Sequence, residues 1–227
     1  LVVRRGEVHA LVGENGAGKS TLIKVLSGIH QRDSGTILLD GQELHLDGPL
    51  DARAAGISVI YQDFDLAPNL SVADNLLLGR EATRLGLVRP AEQAWRARGY
   101  LEAVGLKVDV RRLVGELTVA QRQLVAIASA LSYAARLLIM DEPTSALGVD
   151  DIAHLQRLIH DLKAGGTSVI YISHKMDEVF EVADEITVLR DGQRIGSRRT
   201  RDTSREEIVS MMVGRELSGY FTKREHA

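Results

Sequence analysis

Three things are scarce or missing in this sequence of 227 residues, and each removes a class of protein. There is no cysteine, so a disulfide framework or a cysteine-based metal site is impossible, and a reducing cytoplasm is the default setting. No uninterrupted apolar run approaches the roughly 18 to 20 residues that a membrane-spanning helix needs. Charge is nearly balanced at −3, which argues against a nucleic-acid partner bound through bulk positive charge.

Short apolar runs alternate with helical patterns along the chain, which predicts a mostly parallel sheet covered by helices. The runs "LLIMDE" and "SVIYIS" lack polar alternation, as expected for strands that are buried on both faces. Strands are predicted at residues 7–12, 57–61, 137–141, 168–172 and 185–190, and helices at residues 19–26, 151–163, 176–183 and 205–213. The pairs Asp40-Gly41 and Asp191-Gly192 predict tight hairpins that add antiparallel strands at the sheet edges.

The middle and the two ends of the chain differ from this pattern. Residues 89–131 carry few strand signals, which predicts a helical insertion between two strands of the main sheet. The chain opens on the apolar "LVV" without an initiator Met, so we expect it to be a piece of a longer protein. The polar "SGYFTKREHA" at the other end is typical of the start of a linker.

The segment "GENGAGKST" fits the pattern G-x-x-x-x-G-K-[ST] between a predicted strand and a predicted helix. Glycines in such a loop let the backbone approach phosphates closely, and the following helix aims free N–H groups at them. The alternative, an ordinary glycine-rich turn, is disfavoured by the strand–loop–helix context. The predicted nucleotide-binding residues here are Gly13, Asn15, Gly16, Ala17, Gly18, Lys19, Ser20 and Thr21, with Lys19 on the outer phosphates and Ser20 as a Mg²⁺ ligand.

Adjacent carboxylates, Asp141 and Glu142, follow four apolar residues in "LLIMDEPTSAL". The carboxyl end of a buried parallel strand faces the ligand crevice of an open sheet. Asp141 is therefore predicted to hold Mg²⁺ and Glu142 to polarise an attacking water. An acidic pair that simply ends a strand in solvent is the alternative, and the neighbouring phosphate loop makes it the weaker one.

His174 and Gln62 also follow predicted strands. His174 is placed to sense a terminal phosphate, although a single histidine after a strand is more often a capping or surface residue. Gln62 either binds Mg²⁺ or water or merely begins a loop, and nothing in its neighbourhood decides between these.

The segment "ELTVAQRQLVAIASAL" begins with a helix start signal, because Thr118 and Gln121 fit the capping box S/T-x-x-E/Q. A helix start presents free N–H groups and a partial positive charge, which suits an anion. The same helix carries a predicted core-facing stripe of Leu124, Ile127, Ala128 and Leu131.

Together these motifs resemble the ATP-binding-cassette (ABC) family. The resemblance rests on residues 13–21 (Walker A), Gln62 (Q-loop), residues 117–121 (signature), 137–142 (Walker B), 145–148 (D-loop) and His174 (H-loop), which occur in the family's order along nearly the whole chain. The stretches "EVHALVGENGAGKSTLIKVLSGI", "LSVADNLLLGRE" and "MMVGREL" look most like the first nucleotide-binding half of bacterial monosaccharide importers.

The resemblance implies an α/β P-loop NTPase fold with a mostly parallel central sheet, antiparallel edge hairpins and an inserted α-helical subdomain. Residues 1–78 and 136–215 would form the RecA-like ATP-binding core, residues 79–135 the helical subdomain with the signature, and residues 216–227 a tail or linker to a second half. The implied reaction is hydrolysis of ATP with Mg²⁺ as cofactor. Glu142, His174 and Gln62 would be catalytic, with the last two sensing the γ-phosphate, while Ser20, Gln62 and Asp141 would place the metal.

The resemblance also implies partners. A second nucleotide-binding domain would pair head to tail with this one, so that Thr118, Ala120 and Gln121 act on the partner's ATP. The loop of about residues 63–78 would contact a membrane permease at the cytoplasmic face of the cell membrane, and a sugar-binding protein would take part indirectly. Two other readings stay open: a catalytically silent half that holds ATP as an interaction module, and a soluble ABC ATPase without a transport role.

The chain departs from the family pattern at several positions. Thr118, Val119 and Ala120 stand where the family has Ser, Gly and Gly. Ala120 keeps its N–H and is expected in the first helical turn, where glycine is not conformationally required, so we expect a weakened but working signature. Gly148 replaces a common Asp in the D-loop, and the family's adenine-stacking aromatic would precede Leu1.

Overall fold

A computed structural model describes residues 1–62, 66–84 and 87–214. Its strands are β1 (Val8–Val12), β2 (Ile37–Leu39), β3 (Gln42–Leu44), β4 (Ile57–Ile60), β5 (Thr83–Arg84), β6 (Leu87–Val88), β7 (Leu137–Asp141), β8 (Ser168–Ile172), β9 (Glu185–Arg190) and β10 (Gln193–Arg199). Its α-helices are α1 (Lys19–Leu26), α2 (Pro49–Ala54), α3 (Val72–Leu77), α4 (Pro90–Ala103), α5 (Val119–Leu131), α6 (Val149–Ala164), α7 (Met176–Val182) and α8 (Arg205–Val213).

A six-stranded sheet in the order β10-β9-β1-β8-β7-β4 forms the centre of the fold. Neighbouring strands from β4 to β9 pair in parallel, and only β10 runs antiparallel to its neighbour β9. The five predicted strands and the mostly parallel sheet are confirmed. Because parallel strands end at the same edge, the loops after β1, β4, β7 and β8 meet there.

Hydrophobic cores cover both faces of this sheet. Along β1, Val8, Ala10 and Val12 belong to one buried cluster and Leu11 to the other. Successive side chains of a strand point to opposite faces, so each strand contributes to both cores. This explains why the strand sequences are apolar throughout.

Both Asp-Gly pairs form the predicted turns. Asp40 and Gly41, like Asp191 and Gly192, have positive φ at both turn positions, as a type I′ hairpin requires. The second hairpin adds β10 to the edge of the main sheet as predicted. For the first the edge prediction is wrong: β2 and β3 form a separate two-stranded sheet, because their apolar side chains pack on the core beside α1 instead of extending the ladder.

The predicted helical stretch at residues 89–131 contains α4, a short 3₁₀ turn and α5. It is preceded by the small antiparallel pair β5–β6, which the sequence did not signal. Residues 63–65 and the predicted tail at residues 216–227 lie outside the described residues. No helix among the described residues is long and apolar enough to cross a membrane.

Candidate functional site

The loop between β1 and α1 forms one wall of a pocket of about 230 Å³. The opposite wall comes from the ends of β4 and β7. The lining residues are Asn15, Gly16, Gly18, Lys19, Ser20, Thr21, Gln62, Asp141 and Glu142. Nine residues that the sequence singled out from three separate segments thus line one cavity.

The glycines of this loop have the backbone that the sequence predicted. Gly16 has φ +84° and Gly18 has φ +99°, in the left-handed region that side chains with a Cβ rarely adopt. Gly18 is also the N-cap of α1 and offers no side chain to cap it. The first N–H groups of α1 are therefore left for an external acceptor, which is the arrangement of a phosphate-binding helix start.

Two predicted loop residues, Gly13 and Ala17, do not line the pocket and instead contact the β9–β10 hairpin. A Cβ on Gly13 would lie 2.3 Å from the carbonyl oxygen of Leu189. The Gly192 N–H donates to the Ala17 carbonyl oxygen at 3.2 Å. The hairpin therefore braces the back of the phosphate loop. The sequence showed the Asp191-Gly192 turn but not this contact, which depends on β9 lying beside β1.

Lys19 closes over the loop. Its Nζ donates to the carbonyl oxygens of Gly13, at 2.7 Å, and of Glu14, at 3.0 Å. These bonds hold a positive charge at the mouth of the pocket, where it also lowers the pKa of Asp141. The net shift of the Asp141 pKa is nevertheless upward, because burial of its carboxyl and the neighbouring Glu142 charge both disfavour ionisation.

Glu142 is held at the edge of the pocket by backbone and side-chain contacts. Its N–H donates to the Ile172 carbonyl oxygen at 2.9 Å, and its φ of +50° lies in the left-handed region. Such a conformation costs a non-glycine residue about 1 to 3 kcal/mol, and outside tight turns it clusters at functional sites.

His174 meets this carboxylate from outside the pocket. Its Nδ1 lies 2.7 Å from Glu142 Oε2 and 2.8 Å from Oε1, while the side chain is 65% exposed. The structure thus joins His174 to the site through Glu142.

Ser20, Gln62 and Asp141, the three predicted metal ligands, share the pocket. They offer a hydroxyl, an amide and one carboxylate, an oxygen set that suits Mg²⁺ when phosphate oxygens complete the coordination. In the part of the chain that the structure describes, no cluster of three or more His, Asp or Glu side chains could hold a metal by itself. The residues therefore fit a magnesium ion that arrives with a phosphate ligand.

The start of α5 lies outside this pocket. Thr118 is the N-cap, its Oγ1 accepts from the Gln121 N–H at 3.2 Å, and Gln121 Oε1 accepts from the Thr118 N–H at 3.1 Å. The predicted capping box is confirmed. Thr118 is exposed, Ala120 and Gln121 are half-buried, and Ala120 has the negative φ of an ordinary helical residue.

The rest of α5 is buried more widely than the predicted stripe. Ile127 and Ala128 are fully buried as expected, whereas Leu124 and Leu131 are only partly so. Gln123 and Val125 are buried in addition, because α5 packs against α3, α4 and β4 at once.

A second cavity of about 570 Å³ joins α5 to the site. It is lined by residues from the end of β4, from α5 and from the loop after β7, among them Gln62, Val119, Glu142 and Ser145. Gln62 and Glu142 line both cavities. The loop of residues 145–148 is thus next to the catalytic candidates, while Thr118, Ala120 and Gln121 line neither cavity.

Comparison with known proteins decides the family. The family described as ABC transporter matches residues 1–145. The chain belongs to the ABC transporter family. A ribose import ATP-binding protein of Geobacillus kaustophilus is 51% identical over 96% of this chain and 45% of its own length. A putative ribose/galactose/methyl galactoside import ATP-binding protein of Agrobacterium fabrum is 50% identical over 98% of this chain and 44% of its own. The chain thus spans somewhat less than half of these ABC relatives.

Solved ABC structures share the fold. The ADP conformation of MJ1267, an ATP-binding cassette of an ABC transporter, has a TM-score of 0.79 at 26% identity and covers 95% of this chain and 91% of its own. The cbiO1 structure from Clostridium perfringens, part of the ABC transporter complex cbiONQ, has a TM-score of 0.77 at 28% identity, with 96% and 87% coverage. The expected P-loop NTPase fold is confirmed.

Proposed function

We propose that this chain is the ATP-hydrolysing part of a transporter that imports a carbohydrate, of the monosaccharide class. The observation that carries the proposal is the convergence of the phosphate loop, Asp141 and the Glu142–His174 pair at one edge of the sheet. The names of relatives at about half identity, which refer to ribose and galactoside import, support the cargo class.

The roles follow from the position of each group. Lys19 and the free N–H groups of α1 bind the phosphates. Glu142 orients water and takes up its proton, and His174 holds that carboxylate in place. Bound Mg²⁺ would neutralise phosphate charge, with Ser20, Gln62 and Asp141 as its protein ligands. Gln62 lines both cavities and is thus placed to report the nucleotide state to the rest of the chain.

The division of the chain and its partners are part of the same proposal. Residues 1–78 and 136–215 act as the ATP-binding core, and residues 79–135 act as the helical subdomain. Thr118, Ala120 and Gln121 act on ATP held by a second nucleotide-binding domain, since they line neither cavity next to the chain's own phosphate loop. A permease contacts the segment of residues 63–78, whose second half is the helix α3 and not the expected loop, and keeps the chain at the cytoplasmic face of the membrane.

The altered signature is weakened but functional in this proposal. Ala120 retains its N–H in the first turn of α5 and adds only a methyl group. Ala120→Gly should therefore increase both ATP-driven pairing and turnover. Unchanged pairing and turnover in this variant would show that Ala120 does not weaken the signature.

Hydrolysis itself is tested by phosphate release from Mg-ATP, with Lys19→Ala to remove phosphate binding and Glu142→Gln to remove the base. We expect Glu142→Gln to bind ATP normally and to lose turnover by a factor of roughly a hundred or more. ATP binding without any release by the unaltered chain would instead favour the silent interaction module.

A further inference from the structure

A buried carboxylate, Glu178, lies directly behind the proposed catalytic pair. It occupies the first turn of α7 and is only 8% exposed. A carboxylate that is removed from water requires strong donors to offset its desolvation. None of the proposed phosphate, metal or water contacts involves Glu178, so its burial has another cause.

Three donors satisfy this carboxylate. Oε2 accepts from the Tyr171 hydroxyl at 3.0 Å and from the Thr144 hydroxyl, and Oε1 pairs with Lys175 Nζ at 3.1 Å. Thr144 and Tyr171 are themselves buried, at 2% and 1% exposure. Burial and the nearby charge of Glu178 both raise the pKa of Tyr171, so its hydroxyl stays protonated and remains a donor.

The donors belong to the segments that carry the catalytic pair. Thr144 is two residues after Glu142, and Lys175 is the residue after His174. Lys175 Nζ also donates to the Thr144 carbonyl oxygen at 3.2 Å, which closes the network between the two loops. One carboxylate therefore fixes the spacing between the loop after β7 and the loop after β8.

We propose that Glu178 is a positioning residue of the ATPase: through Thr144 and Lys175 it holds the two loops so that His174 stays against Glu142. The inference rests on the proposed function. Glu178 touches neither pocket, so it acts only through the 2.7 Å contact between His174 and Glu142. The charge of Glu178 matters in this role, because the neutral amide of the isosteric Gln would be a weaker partner for Lys175.

The first test compares Glu178→Gln with Glu181→Gln, an exposed glutamate on the same helix. We expect kcat to fall roughly tenfold or more in Glu178→Gln while KM for ATP stays within about twofold, because the phosphate loop is untouched. Glu181→Gln should change neither. In a His174→Ala background the effect of Glu178→Gln should largely disappear. An undiminished effect in that background would overturn the proposal.

A second readout does not depend on turnover. The imidazole resonances of His174, assigned by their loss in His174→Ala, should move in Glu178→Gln and in Glu142→Gln but not in Glu181→Gln. Unmoved His174 resonances in Glu178→Gln would refute the positioning role, whereas absent hydrolysis in the unaltered chain would refute only the proposed function. If Glu178→Gln does not fold, Thr144→Val carries the same expectation, since it removes one donor and keeps the side-chain shape.

Discussion

Gly13→Ala should damage the phosphate loop from behind, without touching the pocket. The new Cβ would lie 2.3 Å from the Leu189 carbonyl oxygen and 2.9 Å from the Ala17 Cβ, whereas real Cβ contacts essentially never fall below 3.0 Å. The loop must then move away from Leu189 by at least 0.7 Å, the difference between those limits. The same Cβ also overlaps the Ala17 Cβ within the loop, so the loop must be distorted internally as well as displaced.

The expected cost follows from this overlap. Overpacking of this kind typically costs about 1 to 3 kcal/mol of unfolding free energy, and about 2 to 4 °C of unfolding midpoint accompanies each kcal/mol in a chain of this size. The midpoint should therefore fall by roughly 2 to 12 °C. Turnover should fall about a hundredfold, because displacements approaching 1 Å in a positioned site have that effect.

The assay is thermal unfolding together with phosphate release, and Gly99→Ala is the matched control. Gly99 lies inside α4, and a Cβ there would meet no atom within 4 Å. The same chemical change should stabilise the protein by about 0.5 to 1 kcal/mol, because alanine favours a helix interior. A Gly13→Ala protein with an unchanged midpoint and turnover would refute the bracing of the loop by the hairpin.

Two further predictions concern the signature helix and the metal site. Thr118→Ala removes the N-cap of α5 and should lower the free energy of unfolding in urea by about 1 kcal/mol. Ser204→Ala removes the equivalent cap of α8 and should lower it by about the same amount, but only Thr118→Ala should reduce turnover. An equal effect of the two variants on turnover would mean that Thr118 is merely a cap. Asp141→Asn should raise the unfolding midpoint of the nucleotide-free protein at pH 7, because burial and Glu142 raise the pKa of Asp141 and make its charged form costly. The gain in unfolding midpoint should shrink as the pH falls through the raised pKa of Asp141 in the folded protein toward its pKa in the unfolded chain. A midpoint lower than that of the unaltered protein at pH 7 would contradict this prediction.

Much of the site could be predicted because its signals are local. The phosphate loop, the two acids at the carboxyl end of β7 and the capping box of α5 each lie within a dozen residues, and buried parallel strands bring their carboxyl ends together. His174 needed the structure, since only its contact with Glu142 distinguishes it from a surface histidine.

The remainder depends on tertiary neighbours that no local pattern encodes. The contact of Gly13 with Leu189 arises because β9 pairs with β1, although 176 residues separate their first paired positions, His9 and Glu185.

 The order of strands in the sheet is a property of the whole fold, so a glycine needed for a close approach between distant segments looks in the sequence like any other glycine of the loop. The short pair β5–β6 and the burial of Gln123 and Val125 on α5 escaped prediction for the same reason. The Glu178 network is a further case, because one of its donors, Thr144, lies 34 residues earlier in the chain.

The most direct test of the account is Mg-ATP turnover measured as a function of protein concentration, with Glu142→Gln as the control. The proposed head-to-tail pairing places each ATP between the phosphate loop of one domain and the α5 start of another. It therefore predicts a rate that rises faster than in proportion to concentration and that is lost in Glu142→Gln. A rate strictly proportional to concentration, or one that survives Glu142→Gln, would contradict it.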